Sequence, residues 1–319
     1  MKRSRLVVAG WVLAVLGVIA ALGAVSNNTA GSAPGVINVT GGAKVPSVMW
    51  YWTMAVSPTD PNGLVLGTSD GVYRSPDGGK TWPAQPNALK NVNVTSLADL
   101  GSTMFAGGVP VGNNPGGVSR TKTGYRAATD GPAVLASSDD GGATWKTLHP
   151  KGLANKTIQS LATDPSSNAL YALLNDGKLY RSTDSGASFK LANRNIGIPP
   201  WAIAVTQGGQ FVSGDMDAGP HTSTDGKTWQ KTKFTDGRGG HMVMEYAVSP
   251  TDGTQVLMTS IGIVISTDGG KTWHPALKSS TMFGPVAYAP TAPQTAYAIG
   301  FDGTLWRSSD GGKTWTEVS

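Results

Sequence analysis

Ser75-Pro76-Asp77-Gly78-Gly79-Lys80-Thr81-Trp82 decides the fold, because the chain repeats it. Ser138-Asp139-Asp140-Gly141-Gly142-Ala143-Thr144-Trp145, Ser266-Thr267-Asp268-Gly269-Gly270-Lys271-Thr272-Trp273 and Ser308-Ser309-Asp310-Gly311-Gly312-Lys313-Thr314-Trp315 are close copies. Two copies are degenerate: residues 182–189 end in Phe189, and residues 223–229 are one residue short. The central residues Asp77, Asp140, Asp184, Asp225, Asp268 and Asp310 lie 63, 44, 41, 43 and 42 apart. The motif carries the chemistry of a hairpin turn. An Asp accepts hydrogen bonds from N–H groups two or three residues on, Gly takes the positive φ of the reversal, and Thr-Trp starts the returning strand. The indole is then free to bury itself between neighbouring units.

This spacing resembles the Asp-box, or BNR, repeat of sialidases, sortilin-type receptors, some xyloglucan-cleaving glycosidases and the photosystem II assembly/stability factors. The resemblance covers roughly residues 48 to 319. It implies a fold strongly and a function weakly, since those families share the turn and not a chemistry. The six aspartates are accordingly read as structural.

Aligning the copies gives a four-strand meander. In the third unit the strands are expected at 158–163, 169–174, 178–182 and 189–192. Asn175-Asp176-Gly177 signals the tight turn between the second and third, as do Ser69-Asp70-Gly71 and Phe301-Asp302-Gly303 elsewhere. A repeat of about 42 residues with four short strands reads as a propeller blade. The expectation is an all-β, six-bladed propeller of four-stranded antiparallel blades over residues 47–319. Residues 109–132 are expected to form a loop inserted in unit 2, and unit 6 to close the ring on unit 1.

Composition agrees with many strands and turns: 43 Gly, 20 Pro and 10 Trp accompany only 14% charged residues. The absence of Cys excludes disulfides, thiolate metal sites and a cysteine nucleophile. A net charge of +5 falls to +2 once Lys2, Arg3 and Arg5 are set aside, which leaves no basic footprint for nucleic acid. Those three residues precede a run of 20 residues, 6–25, without a charge. Such a run spans about 30 Å as a helix, the thickness of a bilayer core. Residues 1–25 are therefore expected to form a hydrophobic helix, either a signal peptide or a membrane anchor. Residues 26–46 follow as a linker, and the remainder is exported.

In a four-strand meander the turns between strands two and three share a face with the connections between units, and the Asp-box turns lie opposite. The less regular residues fall on the first face. Trp50, Tyr51 and Trp52 precede unit 1, Trp201 precedes unit 4, His241 and Glu245 precede unit 5, and Arg126 lies in the unit 2 insertion. These seven are the candidate binding residues. The tryptophans either plug the central channel or stack a ligand, and Met242, Met244 and Met282 fit channel filling better than soft metal ligation. No metal or cofactor is expected.

Sialidases bind their substrate carboxylate with three arginines and use a Tyr/Glu nucleophile pair with an Asp acid/base. Here no arginine lies between Arg5 and Arg74, and Arg74, Arg181 and Arg307 belong to the repeat, so the triad cannot be carried over. Any other glycosidase needs two opposed carboxylates. Glu245, Asp215 and Asp217 are the catalytic candidates in that case, with Asp99 the remaining unassigned carboxylate. Glu245 occupies an inner-strand position held by Thr53, Ser96, Ser160, Ala202 and Pro285 in the other units. It serves either as an acid with a raised pKa or as a carboxyl group hydrogen-bonded inside the channel. The expected function is a binding or assembly module for a protein or glycan at a membrane surface. The alternatives are a glycoside hydrolase without the arginine triad, or an assembly factor resembling the photosystem II stability factor.

Overall fold

The computed structural model describes residues 45–318 apart from 47, 49, 84–87, 112–117, 122–123, 128–130, 199–200 and 235–241; in 118–121 and 124–127 only the backbone is described. Residues 1–44, with the expected hydrophobic helix and most of the linker, lie outside the described residues. Among those described, no helix is long and apolar enough to cross a membrane.

Unit 1 contains β1 (Tyr51–Val56), β2 (Leu64–Thr68) and β3 (Gly71–Ser75). Unit 2 contains β4 (Val92–Leu100) and β5 (Thr103–Pro110), then a separate hairpin of β6 (Val118–Thr121) and β7 (Gly124–Ala127), then β8 (Val134–Ser138) and β9 (Lys146–Leu148). Unit 3 contains β10 (Ile158–Asp164), β11 (Ala169–Leu174), β12 (Leu179–Ser182) and β13 (Lys190–Asn193), each within two residues of the strand expected from the repeat. Unit 4 contains β14 (Ala202–Val205), β15 (Phe211–Gly214), β16 (His221–Ser223) and β17 (Gln230–Lys231). Units 5 and 6 contain β18 (Tyr246–Val248), β19 (Val256–Ser266), β20 (His274–Ala289), β21 (Ala292–Gly300), β22 (Leu305–Ser308) and β23 (Thr316–Glu317).

The chain is an all-β propeller of antiparallel meanders, but its sheets do not come out as six separate four-stranded blades. Among the described residues four sheets carry four or more strands: units 2, 3 and 4 give one each, and units 5 and 6 share a six-stranded sheet. Unit 1 shows three strands among the described residues, together with the bridge Val72↔Ala88. The merging has a local cause. Residues 276–283 hold no Gly or Pro to break the chain between units, so β20 continues from the outer strand of unit 5 into the inner strand of unit 6. Gly284-Pro285 then enters as a register shift between Phe283 and Val286. The unit 2 insertion is likewise not a plain loop, since β6 and β7 pair in it.

Among the described residues six apolar clusters hold the repeats together, each between neighbouring units. Leu173 and Leu179 meet Val205 and Phe211 between units 3 and 4, and Leu64 and Tyr73 meet Tyr297 and Leu305 between units 1 and 6. The second of these clusters closes the ring. The Asp-box glycines fit into the same seams. A Cβ on Gly79 would lie 2.0 Å from Leu305 Cδ2 of unit 6, and one on Gly142 would lie 2.6 Å from Val65 Cγ2 of unit 1. Each of these glycines also has a positive φ, 89° and 86°. Two requirements, the turn and the close approach of the preceding unit, thus exclude a side chain there.

Within each box the Asp side chain organises the turn. Ser75 Oγ donates to Asp77 Oδ1 (2.8 Å) and accepts from Gly79 N (2.9 Å), while Asp77 accepts from Thr81 N (2.9 Å) and Thr81 Oγ1 (2.7 Å). The acceptor therefore reaches four residues on in the full-length boxes, and three residues on as well at Asp268 and Asp310, which accept from Lys271 N and Lys313 N. The shortened fourth box reaches two and three residues on, to Lys227 N and Thr228 N. These bonds favour the ionised carboxylate and hold Asp140, Asp184, Asp225 and Asp310 down at about 2.

Candidate functional site

A narrow cleft opens where unit connections and strand two-to-three turns converge, the face opposite the Asp-box turns. Trp50 and Trp52 come from the start of β1, Trp201 from the residue before β14, and Met244 from the segment before β18. Met216 comes from the turn after β15, Met282 from the middle of β20, and Phe301 from the turn after β21. Trp50 stacks on Trp52 with ring centroids 5.5 Å apart and planes 23° apart, and Trp201 meets Trp52 edge-on at 6.2 Å. Offset stacks and edge contacts of this kind are the favoured aromatic geometries.

The three indoles differ in what they can still do. Trp201 is buried and donates its Nε1–H to Met244 O at 2.9 Å, so it anchors the cleft wall. Trp50 and Trp52 are partly exposed, and their Nε1–H groups are shielded from water without a partner among the described residues. Tyr51 points into the seam between units 1 and 6, where its hydroxyl donates to Pro46 O at 2.5 Å and burial raises its pKa. Met216 and Phe301 also line the cleft. The sequence offered one signal for them, their place in strand two-to-three turns on the same face.

Next to the cleft, the inner strands are tied to one another by side chains at a single repeat position. Thr53 Oγ1 accepts from Leu97 N of unit 2 (3.2 Å), Ser96 Oγ from Leu161 N of unit 3 (2.8 Å), and Ser160 Oγ from Ile203 N of unit 4 (3.3 Å). Glu245 extends this series. Its Oε2 accepts from Val286 N of unit 6 (3.0 Å), its Oε1 accepts from Thr53 Oγ1 (2.6 Å), and it also accepts from Met54 N of unit 1. Pro285, at the equivalent position of unit 6, has no hydroxyl for unit 1, and the longer Glu245 side chain reaches past it. The residue keeps some accessible surface, but its carboxyl group lies deep among protein atoms. That burial, only partly offset by the three hydrogen bonds, pushes its pKa up to about 8.

The other sequence candidates fall into different surroundings. Asp215 is fully buried at the end of β15 and caps its own turn, accepting from Asp217 N (2.9 Å) and Ala218 N (2.5 Å). Asp217 is exposed on that turn, and His221 contacts Gly219 O through Nδ1 at 3.0 Å. Asp99 lies near the end of β4, toward the Asp-box face, with Oδ1 buried and unpartnered among the described residues. Burial pushes its pKa up to about 7. Arg126 belongs to β7, whose side chains are not described, and His241 lies outside the described residues. Among the described residues no group of three His, Cys, Asp or Glu side chains could hold a metal ion.

Residues 264–275 match the BNR/Asp-box repeat family. No protein of curated function matches the chain. The GH74 xyloglucanase of Xanthomonas campestris shares the propeller architecture at 17% identity and a TM-score of 0.50, over 89% of this chain and 46% of the enzyme chain. This chain thus spans less than half of that enzyme's length. A chain of a nidogen/laminin complex aligns at 9% identity and a TM-score of 0.55, over 81% of this chain and 92% of its own length. YCF48 bound to a D1 peptide aligns at 19% identity and a TM-score of 0.49, over 91% and 85%. Identities this low speak for the fold alone. The matched box at 264–275 carries the same Ser–Asp–Thr bonding as its counterparts around the ring, so the chain is a β-propeller built from BNR/Asp-box repeats.

Proposed function

We propose that the chain is an exported binding or assembly module that holds a protein or glycan in the tryptophan–methionine cleft, and that residues 6–25 target or tether it to a membrane. One observation carries this reading. Trp50 and Trp52 form a partly exposed stacked pair at the mouth of the cleft, while the carboxyl groups nearby are engaged in holding the fold. A stacked aromatic pair beside adaptable thioethers suits recognition. Glycosidic cleavage needs one carboxyl group free to protonate a leaving oxygen and another facing it. Glu245 is bound to units 1 and 6, and Asp215 to its own turn, which favours binding over hydrolysis.

The test uses the full chain in mild detergent, screened on a glycan array, against chromogenic glycosides and by pull-down from membranes. Trp50→Ala and Trp52→Ala are expected to weaken capture at least ten-fold with little change in melting temperature. Wholesale unfolding of both would assign the pair to plugging the channel. Turnover that disappears in Glu245→Gln or Asp215→Asn would establish a hydrolase in place of the binding module.

A further inference from the structure

We propose that Met244 and Met282 are oxidation sites, converted by a peroxide to sulfoxides whose oxygen accepts the indole N–H of Trp50 or Trp52. The space between the cleft walls has room for about one water-sized molecule, so an oxidant as small as hydrogen peroxide reaches the walls without any rearrangement. The methionines differ in what they offer it. Met54, Met104 and Met258 are closed off in the apolar seams between units, 3%, 0% and 0% exposed. Met216 lines the cleft but is buried, and Met242 is half-buried but not on the wall. Among the described methionines, Met244 and Met282 combine partial exposure with a place on the cleft wall.

In the reaction a sulfur lone pair attacks one peroxide oxygen. The S–O bond forms as the O–O bond breaks, and a proton moves to the departing oxygen, which leaves as water; sulfur is oxidised to the sulfoxide and the peroxide is reduced. What happens to the new oxygen sets this place apart. A sulfoxide oxygen is a strong acceptor, and in a packed apolar seam it would lose water and gain no partner. At the cleft it meets donors. The Nε1–H groups of Trp50 and Trp52 are buried without a partner among the described residues, whereas that of Trp201 is taken by Met244 O. Both rings line the same small space as the two thioethers. The unbranched methionine side chain has the rotamer freedom to turn its oxygen toward either indole. An oxygen placed there satisfies a donor that the reduced protein leaves unpaired, so oxidation costs the fold little and fixes the stacked pair in place.

The experiment applies hydrogen peroxide in graded doses to the full chain in mild detergent and locates oxygen uptake residue by residue by peptide mass spectrometry. Met244 and Met282 are expected to oxidise at least ten-fold faster than Met54, Met104 and Met258. Stability is then read from urea midpoints in a Met242→Leu background, which removes the third half-buried thioether. There the oxidised chain is expected to unfold at the same midpoint as the untreated one. Adding Trp50→Phe and Trp52→Phe, which keep both rings and remove both N–H groups, is expected to make the same oxidation lower the midpoint. The order of oxidation on the unmodified chain needs no variant, so it tests the site even if a variant misfolds. Uptake at Met244 and Met282 no faster than at the three buried methionines overturns the site. Fast uptake that lowers the midpoint while both indoles are present overturns capture of the oxygen by the indoles, and so does an oxidised double-Phe variant as stable as its untreated form.

Discussion

Ser185 sits at φ 54°, in the left-handed region where the other full-length boxes place glycine. A side chain there costs about 1–2 kcal/mol relative to glycine, partly returned because glycine leaves the unfolded chain more freedom. Ser185→Gly is therefore expected to stabilise the protein by about 0.5–1 kcal/mol, read as a higher midpoint in urea denaturation. An unchanged or lower midpoint would mean that the third box tolerates its strain through its neighbours. The role of the aspartates was readable at this scale, since a carboxylate followed by glycines and threonine can do little else. The second glycine of each box was only half readable. Its positive φ follows from the turn, but the Leu or Val of the preceding unit that fills the space over Gly79 or Gly142 comes from far away in the chain. No local pattern records it.

At the scale of strands, the repeat position of Thr53, Ser96 and Ser160 binds each inner strand to the next unit. Ser160→Ala would leave Ile203 N without its acceptor in a buried strand. The expected cost is about 1–3 kcal/mol, measured by chemical denaturation, with Ser160→Thr restoring most of it. If Ser160→Ala is neutral, the contact is incidental. The strands of unit 3 could be read from the sequence because Asn175-Asp176-Gly177 and the box punctuate them, and the observed bounds differ by two residues at most. Units 5 and 6 could not be read in the same way. β19 passes through Gly262 at φ 87° without an Asp-Gly turn, and β20 passes from one unit to the next without a breaker, so the period survives in sequence while the strands fuse. The hairpin of β6 and β7 escaped for the opposite reason: an insertion has no counterpart in the repeat with which to align it.

For the whole molecule, the question is what keeps the first and last units together, because a ring built from one chain has a single non-consecutive seam. The apolar cluster of Leu64, Tyr73, Tyr297 and Leu305 fills that seam from within. Glu245 spans it from the centre, linking unit 5 to Val286 of unit 6 and to Thr53 and Met54 of unit 1. The sequence marked Glu245 as unlike its counterparts. The latch itself was out of reach, because it depends on three units meeting at the axis. Its titration is a measurable consequence. The folded carboxyl group titrates at about 8 against an ordinary value of 4.5, so between those values the folded protein holds a proton that the unfolded chain releases. Stability contributed by this group is complete below about pH 4.5 and is lost as the pH rises through 8, by an amount on the order of a few kcal/mol. Asp99 contributes with the same sign and is lost as the pH rises through about 7, whereas His221, whose burial lowers its pKa, contributes with the opposite sign below its ordinary value of 6.5. Asp99 still titrates between pH 7 and 8, so the share of Glu245 is the difference in slope between the unmodified chain and Glu245→Gln, whose amide is neutral at every pH. Urea midpoints of the unmodified chain should fall more steeply across that interval than those of Glu245→Gln. Equal slopes in the two would mean that Glu245 is already ionised in the folded ring, bonded as a carboxylate to Thr53, Met54 and Val286.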